Sequence, residues 1–182
     1  SANDGSSGRE LWAHDTSNSS TWQVADIDST GSINSGSNPG YHLSYVIGDT
    51  LYFDALSWAS GYELWAHDTS NHSTWQVADI NPGSQSSIPG AYMEILVGDT
   101  LYFDATDTST GTELWAHDTS DHSTWLVADV ASGSGDSYPG QSANGYMSLL
   151  VGNTIYFSAN DGSSGTELWA FETIPTHSIT YD

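Results

Sequence analysis

The feature that most constrains this chain is a unit of about 50 residues that recurs along it. The tripeptide Glu-Leu-Trp occurs four times, at residues 10–12, 63–65, 113–115 and 167–169. Each of the first three copies is followed by Ala-His-Asp-Thr-Ser and then by Thr-Trp-x-Val-Ala-Asp. In tandem-repeat proteins, each unit is one supersecondary element that buries its apolar face against its neighbours. The sequence therefore predicts an array of similar units.

Each unit predicts four short β-strands. In the second unit we expect them at residues 41–47, 50–55, 62–68 and 74–80, which are rich in Tyr, Phe, Trp, Val, Ile and Thr. Short polar segments join the first strand to the second and the third to the fourth, as in antiparallel hairpins. A longer Pro-Gly-Ser connection leads to the next unit. The pattern predicts an all-β fold, a β-propeller-like array of four-stranded antiparallel blades; a β-solenoid or a β-sandwich is the alternative.

The repeats also predict where the blades lie. Ser1–Gly8 is identical to Ser158–Gly165, which follows a second strand, so we expect residue 1 to lie inside a blade. The first blade would then hold only its third and fourth strands, and the last would end with an outer strand at 177–182. The chain is either a fragment of a longer array or a subunit whose open first blade is covered by another copy. The expected parts of this single repeat domain, about three and a half blades in all, are a half blade at 1–30, blades at 41–80 and 91–130, and a terminal blade at 145–182.

Two motifs carry a family resemblance. Glu-Leu-Trp-x-x-Asp-Thr recurs in register, and Gly-Asp-Thr-Leu-Tyr-Phe precedes it at 48–53 and 98–103. On these motifs the chain resembles the bacterial ELWxxDGT repeat family. The resemblance implies a large secreted or cell-surface protein with a propeller fold. The chain departs from the family pattern at Thr69-Ser70, where Gly-Thr is usual, and again at 169–173, which suggests a terminal capping unit.

The charge balance excludes whole classes of partner. Lys and Arg total 1 against 23 Asp and Glu, for a formal net charge of -22. Nucleic acids and anionic membrane surfaces are held by Lys and Arg, so we expect neither as a partner. No apolar run approaches the roughly 18 residues of a membrane span, so we expect no membrane insertion. The lack of Cys, and the single Lys or Arg at which a trypsin-like protease could cut, favour secretion by a bacterium or an archaeon to the cell surface or the extracellular medium.

The repeated motif contains the most conspicuous carboxylates of the chain. Pairs of carboxylates cleave glycosides, but catalysis needs two unlike groups and these are copies of one another. We therefore expect them to be structural, bonded to a neighbouring backbone or turn, and we expect no enzyme activity. The Trp side chains of the motif are expected as core wedges between blades. The structural repeat-motif residues are Glu10, Trp12, Glu63, Trp65, Glu113, Trp115, Glu167 and Trp169.

Calcium is the one cofactor that the sequence suggests, because hard cations bind several carboxylate and amide oxygens. Three acidic segments with turn residues are candidates, and ordinary acidic turns are the alternative. Their residues are Asn3, Asp4, Asp104, Asp107, Asn160 and Asp161. Histidines next to aspartates could also bind zinc or copper, but we expect solvent-exposed hairpin histidines. They are His14, His67, His72, His117 and His122.

The remaining candidate sites concern sugars. Asn18 and Asn71 begin glycosylation sequons in equivalent hairpins, although two sequons are near the chance number for so Ser-rich a chain. Trp58 has no counterpart in the other repeats, and together with His42 it is a candidate for glycan binding. The sequence predicts an extracellular structural or adhesive protein that self-associates, as a homo-oligomer or filament, through its incomplete first blade. A lectin-like carbohydrate-binding module is the alternative.

Overall fold

The computed structural model describes residues 1–29, 36–143 and 145–173. Every regular element in this part of the chain is a β-strand, and paired neighbours run antiparallel, which confirms the all-β prediction. No helix long and apolar enough to cross a bilayer occurs among the described residues. The outer strand predicted at 177–182 lies outside them. Two compact units are present, Ser1–Ala91 with Ala105–Thr108, and Tyr92–Asp104 with Ser109–Asp182.

The first unit contains two sheets, each with its strands in sequence order. The first sheet is formed by β1 (Ala2–Asn3), β2 (Arg9–Asp15) and β3 (Ser20–Ala25). The second sheet is formed by β4 (Ser44–Ile47), β5 (Thr50–Ser57), β6 (Gly61–Asp68) and β7 (Ser73–Ala78).

The second unit contains most of the third sheet, a short hairpin and the fourth sheet. The third sheet is formed by β8 (Glu94–Val97), β9 (Thr100–Asp107), β10 (Gly111–Asp118) and β11 (Thr124–Ala128). The hairpin pairs β12 (Gln141–Ser142) with β13 (Gly145–Tyr146). The fourth sheet is formed by β14 (Ser148–Val151), β15 (Thr154–Asn160) and β16 (Thr166–Glu172).

In the second and third sheets, the Glu and Leu of the repeated motif are buried more deeply than its Trp. In the first three sheets, the pairing of the third strand of the repeat with the fourth strand shifts register opposite Leu and Trp. The additional residue of this β-bulge lies on the fourth strand, whereas the motif strand of the second sheet stays in regular register with the second strand. In the second and third sheets, Glu63, Leu64, Glu113 and Leu114 are fully buried. The Trp of the motif, which we expected in the core, is half-buried in all four copies.

The core of the second unit lies between its two sheets. On the third sheet, Tyr102 and Leu114 contribute, and on the fourth sheet Ile155, Phe157 and Ala159 contribute to the same cluster. The apolar side chains on β15 alternate at every second residue, as the pleat of a strand requires. Full burial of one such side chain stabilises the fold by about 1.5–3 kcal/mol. In the second unit, the apolar side chains of the repeated strand pattern are therefore buried between the third and fourth sheets.

Truncation of Phe157 tests this core. Phe157→Ala should lower the free energy of unfolding by about 3–5 kcal/mol, because a buried ring is replaced by a cavity. Phe157→Leu, which keeps most of the volume, should cost less. Denaturation in urea measures both variants, and Val46→Ala is the control because Val46 is 67% exposed. A loss for Phe157→Ala no larger than that of the control would contradict the assignment.

Candidate functional site

The Glu of the repeated motif binds the connection that follows the fourth strand. Glu63, on β6, is fully buried. Its carboxylate accepts the backbone N–H of Ile80 at 2.8 Å, of Asn81 at 3.4 Å and of Ser87 at 3.1 Å. It also accepts the hydroxyl of Ser87 at 2.7 Å. Burial raises the pKa of Glu63 to about 7, and the four hydrogen bonds act in the opposite direction.

The same contact recurs in two other repeats. Glu113 accepts the hydroxyl of Ser137 at 2.6 Å, and Glu10 accepts the hydroxyl of Ser37 at 2.6 Å. Burial also raises the pKa of Glu113. We call this Glu–Ser pair, with its backbone hydrogen bonds, the motif contact. The serine begins a Ser-x-Pro-Gly sequence, at 37–40, 87–90 and 137–140, which is a sequence signal that the motif analysis missed.

The fourth copy of the motif differs from the other three. Glu167, on β16, is exposed, whereas Glu10, Glu63 and Glu113 are fully buried. Leu168 is 64% exposed, although the corresponding Leu64 and Leu114 are fully buried. The burial of the motif Glu and Leu seen in the second and third sheets is therefore not found in the described part of the fourth sheet.

A second carboxylate is buried near the start of two repeats. Asp54, on β5, accepts the backbone N–H groups of His42 at 2.9 Å and Leu43 at 3.0 Å, and its other oxygen lies 2.8 Å from His42 Nδ1. Asp104 takes the same place on β9 and accepts the N–H groups of Tyr92 and Met93 at 2.9 and 2.8 Å. Burial raises the pKa of Asp104 to about 7.

The placement of Asp104 corrects one calcium prediction. Asp104 and Asp107 lie within β9, and Asp104 is fully buried, so this segment is a strand and not an acidic loop. The expected second strand at 50–55 corresponds to residues 100–105 in the third repeat, so the predicted strand pattern already included Asp104. An aspartate whose oxygen accepts two backbone N–H groups can continue a strand in the interior.

The other two calcium candidates form turns. Asn3 and Asn160 each accept the N–H of the glycine two residues later, at 2.7 and 2.8 Å. Asp4 accepts the N–H groups of Ser6 and Ser7, and Asp161 accepts those of Ser163 and Ser164. These bonds lower the pKa of Asp161 to about 2. In the described part of the chain, no group of three or more His, Cys, Asp or Glu residues is arranged to hold a metal ion.

The histidines of the motif are more buried than the sequence suggested. His14 is exposed, but His67 is 5% exposed and His117 is fully buried. In each, Nδ1 lies 2.7 to 2.9 Å from a Thr hydroxyl on the next strand. Burial lowers the pKa of His117 to about 4, so this side chain is neutral at physiological pH. The prediction of exposed hairpin histidines holds for His72 and His122, which are exposed.

Neither comparison with known proteins identifies a relative. No protein-family model matches the sequence, and no curated protein matches it significantly. The resemblance to the ELWxxDGT repeat family therefore stays a prediction, and only the geometry of the chain can support a function.

His42 lies in an aromatic cluster. Its ring centroid is 4.6 Å from that of Tyr41 and 5.9 Å from that of Tyr62, both edge-to-face. Asn38 donates a hydrogen bond to the Tyr62 hydroxyl at 3.2 Å. The side chain of His42 is 23% exposed, and Asp54 fixes the orientation of its ring.

Trp58 lies elsewhere in the first unit, in the turn between β5 and β6, and is 79% exposed. It contributes to an open cleft of about 520 Å³, and among the described residues His42 is not part of the cleft lining. The structure therefore does not bring together Trp58 and His42, the two candidate residues for glycan binding. The cleft is lined by Asp28, Leu56, Ser57, Trp58, Gly61, Ser84 and Ser86.

The two candidate glycosylation sites occupy exposed turns. The side-chain amides of Asn18 and Asn71 donate hydrogen bonds to Asp15 and Asp68 at 2.8 and 2.6 Å. Each amide oxygen accepts the N–H of the serine two residues later. Both asparagines therefore have a local role in closing the hairpin that joins the third strand to the fourth.

The buried carboxylates predict how stability depends on pH. Glu63 and Asp104 have pKa values near 7, above their ordinary values of 4.5 and 3.8. Between about pH 4.5 and 7 the folded chain therefore binds protons that the unfolded chain has released. The free energy of unfolding should fall as pH rises from 5 to 8, by on the order of 1 kcal/mol or more, because the loss from the two carboxyl groups exceeds the opposite contribution of His67 and His117, whose pKa values burial lowers. Urea denaturation across this range, at about 0.5 M salt to screen surface charges, measures the slope.

Asp104→Asn is the control for that slope. The amide oxygen can still accept the N–H groups of Tyr92 and Met93, but the variant has no carboxyl to titrate. It should show a smaller loss of stability between pH 5 and 8 than the unmodified chain. A stability that rises with pH in this range, or a slope that the substitution leaves unchanged, would contradict the role of Asp104.

Ile88 provides a separate test of the connection. It follows Ser87 with a φ of 49°, in the left-handed region that a β-branched residue rarely adopts. The equivalent residue of the first repeat is Asn38, with a φ of 45°. Ile88→Asn should stabilise the protein by about 1 kcal/mol, because asparagine tolerates this conformation. Thermal denaturation measures the gain; Ile88→Ala is the comparison, and an alanine variant at least as stable as the asparagine variant would contradict backbone strain.

Proposed function

We propose that this chain is an extracellular structural or adhesive protein whose sheets stack as blades of a propeller-like array, and that it self-associates through the open face of its fourth sheet. The observation that carries the proposal is the exposure of Leu168. At 64% exposed, it occupies the position where Leu64 and Leu114 are fully buried. A side chain that the repeat buries elsewhere is left in solvent at this sheet.

The face around Leu168 is defined by comparison with the third sheet. There, Ile95, Val97 and Leu114 lie on the side that packs in the core of the second unit. The corresponding residues of the fourth sheet are Leu149, Val151 and Leu168, which are 58, 62 and 64% exposed. We call these three residues the open face.

The composition of the open face favours a protein partner. Full burial of one aliphatic side chain is worth about 1.5–3 kcal/mol, and contiguous exposed apolar residues mark interaction surfaces. In the third sheet the corresponding face is covered by Ile155 and Phe157 of another repeat. The chemistry that fits the open face is therefore a sheet of the same repeat.

A second copy of this chain supplies such a sheet. In the fourth sheet, Phe171 packs against the core of the second unit. The equivalent residue of the first sheet is His14, which is exposed, so this side of the first sheet is available to a second copy. Contact between the last sheet of one copy and the first sheet of the next is head-to-tail, and such contacts produce rings or filaments. Because each copy carries a formal charge of -22, association should strengthen as salt screens the repulsion.

The proposal assigns no catalytic reaction to the chain. The three buried carboxylates of the motif, Glu10, Glu63 and Glu113, each accept hydrogen bonds from backbone N–H groups and a serine hydroxyl. A carboxylate with these contacts is poorly placed to attack a substrate or to exchange protons with one. The extracellular location is supported by the composition alone, with no Cys and one cationic side chain.

Leu168→Glu tests self-association. The unmodified chain should form assemblies larger than a monomer at about 0.5 M salt, and their size should increase over a roughly hundredfold range of concentration. The variant should be monomeric under the same conditions, because each contact would bury a charge against an apolar face. Analytical ultracentrifugation measures the size of both.

Val46→Glu is the matched control, because Val46 is also an exposed strand residue, 67% accessible, on a different sheet. It should assemble like the unmodified chain. Thermal denaturation should show that Leu168→Glu folds normally, since this leucine lies mainly in solvent. An unmodified chain that stays monomeric, or a Leu168→Glu variant that assembles as readily, would disprove the proposed interface.

A further inference from the structure

The exposure of Trp58 has no packing explanation within its sheet. The side chain is 79% exposed in the turn between β5 and β6. The corresponding residues of the two following repeats are Thr108 and Gly162, so the turn does not require an aromatic side chain. An exposed indole is a large apolar surface, and such residues are enriched where proteins bind ligands.

The cleft beside Trp58 has the size and lining of a ligand site. Its volume of about 520 Å³ lies within the range of small-molecule pockets, about 300–1,000 Å³. One wall is apolar and consists of Trp58 and Leu56. The polar part of the lining consists of the serine residues 57, 84 and 86 and of Asp28. An aromatic surface next to several hydroxyl groups matches a ligand that is apolar on one face and rich in hydroxyls at its edge.

Hydrogen bonds hold this turn in place. The hydroxyls of Ser57 and Ser60 lie 2.7 Å apart, and Ser60 also donates to Gln76 at 3.1 Å. On the other side, Ser86 accepts the N–H of Tyr62 at 3.0 Å. Gly61 permits the close approach of the two segments, because a Cβ at this position would lie 2.4 Å from the carbonyl oxygen of Gln85. The cleft is therefore formed before any ligand arrives, which lowers the entropic cost of binding.

The charges select among the ligands that could fit. Arg9 is the single cationic side chain of the protein, and it does not line the cleft, so an anionic ligand would find no counter-charge. Recognition of a quaternary ammonium group uses a cage of several aromatic rings, whereas this cleft has one. A neutral sugar needs neither feature, because its C–H face can stack on the indole while its hydroxyls bond to serine oxygens.

We infer that the Trp58 cleft is a binding site for neutral hexose or pentose units of a polysaccharide. The sugar ring stacks on Trp58, and the serine hydroxyls that line the cleft accept and donate hydrogen bonds at the ring edge. None of these residues belongs to the open face, so the site is a separate function from self-association. Both functions could operate at once in a protein that attaches to a polysaccharide matrix.

Affinity electrophoresis through gels that contain a soluble polysaccharide tests this site. The neutral probes are β-glucan, xylan and galactomannan, and the charged probe is polygalacturonate. At least one neutral probe should retard the unmodified chain, and Trp58→Ala should weaken that binding by about tenfold or more, as expected for loss of a central aromatic contact. Trp58→Phe, which keeps an aromatic surface, should bind with intermediate strength.

Tyr146→Ala is the matched control, because Tyr146 is a 72% exposed aromatic residue in the second unit. It should bind as the unmodified chain does. Since Trp58 is largely in solvent, all variants should melt at similar temperatures and assemble alike, so failure of this site is distinguishable from failure of the open face. The inference is overturned by no retardation in any neutral gel, by equal binding of Trp58→Ala, or by stronger binding to polygalacturonate.

Discussion

The structure depends on a buried carboxylate in the third strand of the repeat. In three repeats this Glu accepts hydrogen bonds from the segment after the fourth strand and from the Ser of Ser-x-Pro-Gly, which leads to the next sheet. Each buried donor left without a partner would cost about 1–3 kcal/mol. The motif contact thus links one sheet to the connection that begins the next. The alternating apolar residues of strands such as β15 can then meet the neighbouring sheet in a fixed register.

The acidic composition and the buried carboxylates act together. Ten of the described acidic side chains are exposed, where they repel one another, and burial raises the pKa values of Glu63 and Asp104 to about 7. Acidification removes negative charge from the surface carboxylates and from the buried ones. Burial lowers the pKa of His117 to about 4, so this side chain stays neutral as the pH falls to that value. The interior therefore favours uncharged side chains in mildly acidic solution. A protein of this composition suits a salt-rich or mildly acidic environment, which is consistent with the proposed extracellular role.

Periodicity predicted the all-β fold and the positions of most strands, because the alternation of apolar residues and the Gly-Asp turns are local signals. It did not predict which motif side chain fills the core. Glu63, Leu64 and Trp65 alternate between the two faces of the second sheet, and which of these faces is more deeply covered depends on packing that the motif alone does not reveal. Asp104 and His117 were misjudged because polar residues are usually exposed, whereas here backbone N–H groups and a threonine hydroxyl satisfy them. The Ser-x-Pro-Gly partner was visible as a repeat, but its contact with Glu depends on the three-dimensional path of the connection.

The geometry of the motif contact does not depend on how many residues connect its Glu to its Ser. The Glu and Ser of the contact are 27 residues apart in the first repeat and 24 apart in the next two, yet their oxygens lie 2.6, 2.7 and 2.6 Å apart. The additional residues fall between Asp28 and Ser37, where the hydrogen bonds on either side anchor the chain. Repeats of different length therefore share one spacing between the motif Glu and the start of the next sheet.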